Sequence, residues 1–172
     1  MSKDYGDQAV CIRPMALRDL GRVVAIDRES FPTPWPREAF LYEIQPQRNS
    51  LCWVAEIDSK TAGKKIIGSI VIWINGDQAH IGTLAVAQRY RQRGIGQYLL
   101  AEALLACEGR GVTTVSLEVR ETNTKALRLY QKFGFEKVGL REDYYQDTHE
   151  NALVLTLTTL DKNKLAALAN KR

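Results

Sequence analysis

Apolar positions recur along this chain at two spacings, every second residue and every three to four, and the switches between them divide it into elements. Residues 9–13 read as a short first strand. From about residue 15 the spacing lengthens, and Leu20, Val23, Val24 and Ile26 turn around one face of a helix that runs to about Ser30. Three prolines in Phe31-Pro32-Thr33-Pro34-Trp35-Pro36 rule out both regular helix and central strand. That segment is a stiff, shaped loop with two large aromatics, and Pro36 fits the first turn of a second helix over residues 37–44. Residues 51–57 and 66–74 carry the β-branched and aromatic side chains of a hairpin, and the polar stretch 58–65 between them reads as a mobile loop. A tight turn at Asn75-Gly76-Asp77 leads into a strand over residues 80–86.

Helical spacing returns over residues 97–107, with Leu100, Ala103, Leu104 and Cys107 on one face, and ends near Gly109-Arg110-Gly111. Residues 115–120 alternate cleanly. Val115, Leu117 and Val119 point one way, and Ser116, Glu118 and Arg120 the other. Another helix starts at Asn123 or Thr124, runs to Lys132 and closes at Gly134. Two strands, 135–140 and 152–158, precede a short amphipathic helix with Leu165 and Leu168 on its apolar side. The order β-α-α-β-β-β-α-β-α-β-β predicts one α/β domain, a mixed sheet of about seven strands flanked by helices, with hairpins antiparallel and helix-linked strands parallel. The domain spans residues 9–158, after a flexible N-terminus, 1–8, and before a helical tail, 159–172.

Composition narrows the function classes. At 172 residues, with 45% hydrophobic and 26% charged residues, the chain can bury a real core as a soluble globular protein. No apolar run approaches the roughly 20 residues that span a bilayer, and the N-terminus lacks an apolar signal core, so a cytoplasmic protein without membrane contact is expected. The net charge of +4 suits an anionic ligand, but no basic stripe is interleaved with aromatics, which speaks against nucleic acid. Cys11, Cys52 and Cys107 are odd in number, widely spaced and set in apolar segments, as buried free thiols are. His80 and His149 form no metal-spaced cluster, so neither a metal site nor a histidine-based triad is expected.

The chemistry gathers around Arg91-Gln92-Arg93-Gly94-Ile95-Gly96. A strand ending in Leu84-Ala85-Val86 runs into this basic, glycine-punctuated loop, and the loop opens a helix. Glycines let backbone N–H groups converge on one point, the helix N-terminus adds partial positive charge, and the arginines add full charge. That is a pyrophosphate site; the plainer alternative is a turn with solvated arginines. Gly-x-Gly-x-x-Gly and Gly-Lys-Ser/Thr are both missing, so dinucleotide and Walker-type readings fail. Downstream, Asn123 and Tyr130 lie two turns apart on one helix, about 10 Å along its axis at 1.5 Å per residue. Glu118 ends the strand before them, and an amide, a phenol and a carboxylate thus converge on one cleft. Taken singly, Glu118 reads as an exposed strand carboxylate, Asn123 as a helix cap and Tyr130 as a packing aromatic.

Arg91-x-x-Gly94-x-Gly96 resembles the (Gln/Arg)-x-x-Gly-x-(Gly/Ala) signature of the GNAT acyltransferases, whose loop and helix hold the pyrophosphate of acetyl-coenzyme A. Leu117-Glu118-Val119-Arg120-Glu121-Thr122-Asn123, followed by Ala126-Leu127-x-Leu129-Tyr130-x-x-Phe133-Gly134-Phe135, is similar to the central signature of the RimI-type ribosomal-protein alanine N-acetyltransferases. Phe31-Pro32-x-x-Trp35 resembles that family's substrate-side loop, and Tyr144-Tyr145 its paired tyrosines. Pro36 and Gln146 depart from the family pattern on the acceptor side, and the tail after Thr158 lies outside its core.

The resemblance implies a GNAT fold and transfer of acetyl from acetyl-coenzyme A to a protein's N-terminal amine, with Glu118 as general base and Tyr130 as general acid. It implies cofactor binding by Leu84, Ala85, Val86, Arg91, Gln92, Arg93, Gly94, Ile95, Gly96, Asn123 and Tyr130, and substrate binding by Phe31, Trp35, Tyr144 and Tyr145. The partner would be the N-terminal peptide of a ribosomal protein, and the enzyme a monomer or weak dimer without metal. The chemistry is consistent: an α-amine with a pKa near 8 must lose a proton before it attacks, and a carboxylate can take it. A backbone N–H near Val86 can stabilise the oxyanion. Two other readings compete, a GNAT enzyme acting on lysines or small amines and a non-catalytic acyl-coenzyme A sensor.

Overall fold

The computed structural model describes residues 2–5, 8–59 and 63–170. Its strands are β1 (Ser2–Tyr5), β2 (Gln8–Pro14), β3 (Ser50–Ser59), β4 (Gly63–Asn75), β5 (Gln78–Val86), β6 (Thr114–Arg120), β7 (Glu136–Tyr145) and β8 (Glu150–Leu157). Its helices are α1 (Leu20–Ser30), α2 (Arg37–Glu43), α3 (Ile95–Glu108), α4 (Thr124–Phe133) and α5 (Lys162–Asn170). Among the described residues one mixed sheet runs in the order β1-β2-β3-β4-β5-β6-β8-β7. Every neighbouring pair is antiparallel except β5–β6, the pair joined through a helix.

Helices cover both faces, which is why the central strand β4 is apolar on both sides instead of alternating. On one face Leu20, Val23 and Ile26 of α1 and Phe40 of α2 pack with Val54, Ile66 and Val71. On the other, Leu99, Leu100, Ala103 and Leu104 of α3 and Phe133 of α4 pack with Ile67, Ile70, Ile72 and Val115. Leu165 and Leu168 of α5 belong to the same cluster, so the tail helix docks on the domain. Gln97 Nε2 fastens it by donating to the Leu168 carbonyl at 2.7 Å.

Within the N-terminal stretch β1 pairs with β2 from Ser2↔Cys11 to Tyr5↔Gln8. Two expectations are corrected, the extent of the loop at 58–65 and the burial of Cys11. The hairpin strands run further into the polar stretch 58–65 than expected: Asp58, Ser59 and Gly63 to Lys65 are paired strand residues, and the remainder of the expected loop, 60–62, lies outside the described residues. Cys52 and Cys107 are buried thiols, pushed up by that burial to about 12 and about 11, but Cys11 is only partly buried.

An ion-pair cluster ties β2 to β3 and to the turn before α1. Arg13 donates to both Asp19 oxygens at 2.7 and 2.9 Å and to Glu56 at 2.5 Å. Burial alone would raise the Asp19 carboxyl, but the Arg13 hydrogen bonds and the Ala16 N–H outweigh it and hold the group below its ordinary value. The Arg13 hydrogen bond likewise lowers Glu56. Because both folded-state values are depressed, the stabilisation is complete above the ordinary carboxylate range, about pH 4, and is lost as pH falls through the folded values. Arg13→Met is therefore expected to lower Tm by several degrees at neutral pH, the scale of about 1–3 kcal/mol in a domain of this size. The gap to wild type should narrow below about pH 4; a gap independent of pH in thermal melts would show that the cluster stabilises by packing alone.

Candidate active site

The β5–β6 ladder holds only from Gln78↔Thr114 to His80↔Ser116. Beyond it β5 continues against β4 to Val86, and β6 continues against β8 to Arg120. The two parallel strands therefore part, leaving backbone groups of residues 81–86 facing a gap. A bulge re-aims β5 at the same place: Val71 pairs with Thr83 and Ile72 with Ile81, so Gly82 is the extra residue. Ala79 and Ile81 before it join one core cluster, and Ala85 after it joins the other. Glycine lets the two indoles close over this bulge, since a Cβ there would lie 3.0 Å from both the Trp35 and Trp73 rings and would push them outward.

A cleft of about 250 Å³ fills the gap, lined by Phe31, Thr33, Trp35, Gly82, Leu84, Glu118, Arg120, Asn123, Tyr130 and Tyr145 among others. Glu118 faces it from β6, its side chain 11% exposed and held from two sides. His80 Nε2 lies 2.9 Å from Oε2, and Arg141 Nη2 lies 3.1 Å from Oε1. His80 Nδ1 in turn lies 3.0 Å from Ser116 Oγ. The His80 ring stacks on Trp73, and Trp73 stacks on Trp35, at 5.5 and 5.6 Å between centroids. The backbone N–H of Trp35 donates to the buried Asp27 carboxyl at 2.7 Å, which fixes the proline-rich loop to α1. Burial raises the Asp27 pKa, against the hydrogen bonds from Trp35 and Thr83.

Tyr130 is buried on α4, edge-on to Phe135 at 5.4 Å. That burial, with Tyr145 nearby, pushes its phenol well above the ordinary value, so it stays protonated at neutral pH. Asn123 caps α4 by accepting the Ala126 N–H at 3.2 Å while also lining the cleft.

A second groove of about 440 Å³ adjoins the first along α4, sharing Ala126 with it. Val86, Arg91, Gln92, Gly94 and Gly96 line one wall, and Lys125, Arg128 and Lys132 the other. Gly94 is the N-cap of α3 with φ of 79°, and Gln92 has φ of 61°. The loop thus turns through left-handed backbone to present the N-terminus of α3, where the positive end of the helix dipole faces the groove. Cations, glycines and a helix N-terminus in one groove match the chemistry of a pyrophosphate ligand.

The model of the acetyltransferase (GNAT) family matches residues 20–135, more than half of the chain. The chain belongs to the GNAT acetyltransferase family. Among its relatives is a Bacillus subtilis (strain 168) protein provisionally named a ribosomal protein bS18-alanine N-acetyltransferase, 35% identical over 147 residues, covering 86% of this chain and 94% of that protein. A Salmonella typhimurium ribosomal protein bS18-alanine N-acetyltransferase is 28% identical, covering 83% and 93%. The crystal structure of the Escherichia coli ribosomal-protein alanine N-acetyltransferase is similar at a TM-score of 0.77 and 28% identity, over 87% of this chain and 94% of that one. Arabidopsis thaliana NAA60 with a bisubstrate analogue is similar at 0.74 and 25%, over 86% and 97%.

In this GNAT chain the residues read from sequence divide between the two spaces. Leu84, Phe31, Trp35, Glu118, Asn123, Tyr130 and Tyr145 line the cleft, and Val86, Arg91, Gln92, Gly94 and Gly96 line the groove. Four others line neither. Ala85 and Ile95 are buried in the core, Arg93 sits over the Tyr90 ring at 5.6 Å, and Tyr144 is 43% exposed outside the cleft. Arg91 spends its guanidinium within the protein, donating to the Val86 carbonyl at 2.8 Å and to Ser30 Oγ at 2.9 Å. Sequence reasoning missed His80, set aside for want of metal spacing. It also missed the Lys125, Arg128, Lys132 face, although the spacing of three, four and seven along one helix carried that signal.

Proposed function

We propose that this acetyltransferase moves the acetyl group of acetyl-coenzyme A to the N-terminal α-amine of a protein, a ribosomal protein that begins with alanine, by direct attack. The observation that carries the reading is that one cleft is lined by both a carboxylate, Glu118, and a buried phenol, Tyr130, and adjoins a cationic groove along α4. The groove takes the pyrophosphate on the α3 N-terminus, with Lys125, Arg128 and Lys132 as counter-charges. The pantetheine arm then runs past Ala126 and Asn123 to bring the thioester between the parted strands. The acceptor enters between the proline-rich loop and Tyr145.

Glu118 accepts the proton of the incoming ammonium, and His80, 2.9 Å away, orients the carboxylate and shares that proton. Attack forms the new C–N bond and places negative charge on the carbonyl oxygen, which a backbone N–H of the unpaired β5 edge near Val86 meets. Collapse breaks the C–S bond as the Tyr130 hydroxyl protonates the departing thiolate. The second proton of the attacking nitrogen, released as the amide forms, restores the Tyr130 phenol, and the proton held by Glu118 leaves to solvent. Binding both substrates in one cleft supplies the proximity, so no covalent enzyme intermediate is required. The small-residue preference rests on the ribosomal-protein relatives and on the aromatic walls Phe31, Trp35 and Tyr145.

Mass spectrometry of protein N-termini from cells with and without this gene tests the reading. One or a few proteins starting with alanine, a ribosomal protein among them, are expected to lose N-terminal acetylation in its absence. An unchanged set of acetylated N-termini, with altered lysine acetylation instead, would contradict it.

A further inference from the structure

Arg120 stands two residues beyond Glu118 on the same face of β6, and its side chain is only 16% exposed. Its guanidinium donates to both Asp147 oxygens at 2.9 and 2.7 Å, to Glu150 at 2.9 Å and to Thr148 at 2.5 Å. It also lies 3.9 Å over the Tyr145 ring. Asp147 is held below the ordinary carboxylate value, chiefly by the Arg120 hydrogen bonds, so it is an anion at neutral pH. From across the cleft, 114 residues away in sequence, Thr33 Oγ1 donates to Asp147 Oδ2 at 3.0 Å.

This bond joins two elements that have separate foundations. The loop of Thr33 is anchored to α1 and β5 through Asp27. The β7–β8 turn is braced by the Asp143–His149 pair at 2.8 Å, with both residues in left-handed backbone at φ of 49° and 53°. Such strained positions persist only where surrounding contacts over-determine them. Thr33, Arg120 and Tyr145 all line the cleft. The hydroxyl-to-carboxylate bond, which lies at the surface, thus links the loop wall to the hairpin wall.

We propose that the Thr33–Asp147–Arg120 bridge fixes the width of the acceptor end of the cleft, and that Thr33 and Asp147 thereby determine which first residue an acceptor can carry. The proposal rests on the α-amine reading above. It differs from that reading in assigning selectivity to a tie between the walls and not to the aromatic rings that face the acceptor. With the bridge intact the two walls move as one, and a large first side chain would have to break a charge-assisted hydrogen bond to enter. Without it the loop can swing away from Tyr145, so small acceptors lose fit and large ones gain entry.

Thr33→Val removes the donor at nearly constant shape, and Thr33→Ser keeps it. Thr33→Val is expected to raise KM for an alanine-starting peptide about threefold to tenfold, the net range of one ordinary hydrogen bond, as suits a bond at an exposed position. Its kcat and the KM for acetyl-coenzyme A should stay within about twofold of wild type, and its preference for alanine- over leucine-starting peptides should fall. Thr33→Ser should restore all of these, and in an Asp147→Ala background Thr33→Val should add nothing. Acceptor KM and selectivity unchanged in Thr33→Val, or a matching rise in the KM for acetyl-coenzyme A, would overturn the proposal. Hydrogen exchange tests the bridge without any acceptor. Thr33→Val should speed amide exchange in residues 144–149 and leave α3 as it was, and unaltered exchange there would overturn the bridge. If wild type acetylates no α-amine while exchange responds as expected, the α-amine reading falls and the bridge stands.

Discussion

Glu118→Gln is expected to lower kcat by about 10²–10⁴, the usual worth of a general base, while the dissociation constant of acetyl-coenzyme A changes little. The substitution keeps the size and planarity of the side chain, but it removes the negative charge and the capacity to take a proton and turns one of the two accepting oxygens into an N–H donor facing His80 or Arg141. Glu118 lies in the cleft and not in the cationic groove, so cofactor affinity has no reason to follow kcat. His80 and Arg141 already hold the two oxygens at 2.9 and 3.1 Å, and these contacts fix the orientation of the carboxylate in the cleft. A variant that keeps more than about half of the wild-type kcat would show that the amine loses its proton elsewhere. Glu118 would then be no more than an anchor for Arg141 and His80.

Gly94→Val is expected to raise the dissociation constant of acetyl-coenzyme A at least tenfold, about 1.4 kcal/mol, as read by calorimetry. Gly94 has φ of 79° at the N-cap of α3, a left-handed conformation that costs a β-branched residue on the order of 1–3 kcal/mol. Relieving that strain would swing the loop and withdraw the first N–H groups of α3 from the groove. Gly96 offers a contrast, because a Cβ there meets Val86 at 3.5 Å, an ordinary contact. Gly96→Ala should therefore bind the cofactor nearly as wild type does. Unchanged affinity in Gly94→Val, with the fold intact by circular dichroism, would remove the loop from the binding site.

The parts of this site that were legible in the sequence are those written in local spacing. The alternation of β6 put Glu118 opposite Val115, Leu117 and Val119, and the three are buried while Glu118 faces the cleft. The glycine-rich loop announced the α3 N-terminus, and the two-turn separation of Asn123 and Tyr130 brought both to the same cleft. The rest depends on contacts that no window of sequence contains. His80 meets Glu118 only because β5 and β6 run parallel for three residue pairs with a helix between them in sequence. Which of the paired tyrosines faces the cleft turns on a register shift between Arg141 and Tyr145 that periodicity does not show. Arg91 reads as a free cation in the sequence, yet the C-terminal end of α1 folds close enough to claim it. Thr33 and Asp147 look like ordinary loop residues until the two loops meet.

The choice of acceptor atom is the centre of this account, and one assay addresses it directly. Purified protein and acetyl-coenzyme A are offered two peptides of the same basic sequence, one with a free N-terminal alanine and one N-terminally blocked but carrying its lysines, and the products are sequenced by fragment mass spectrometry. A single acetyl group is expected on the alanine nitrogen of the first peptide and none on the second. Equal acetylation of both, or acetyl groups on lysine side chains, would contradict the α-amine reading.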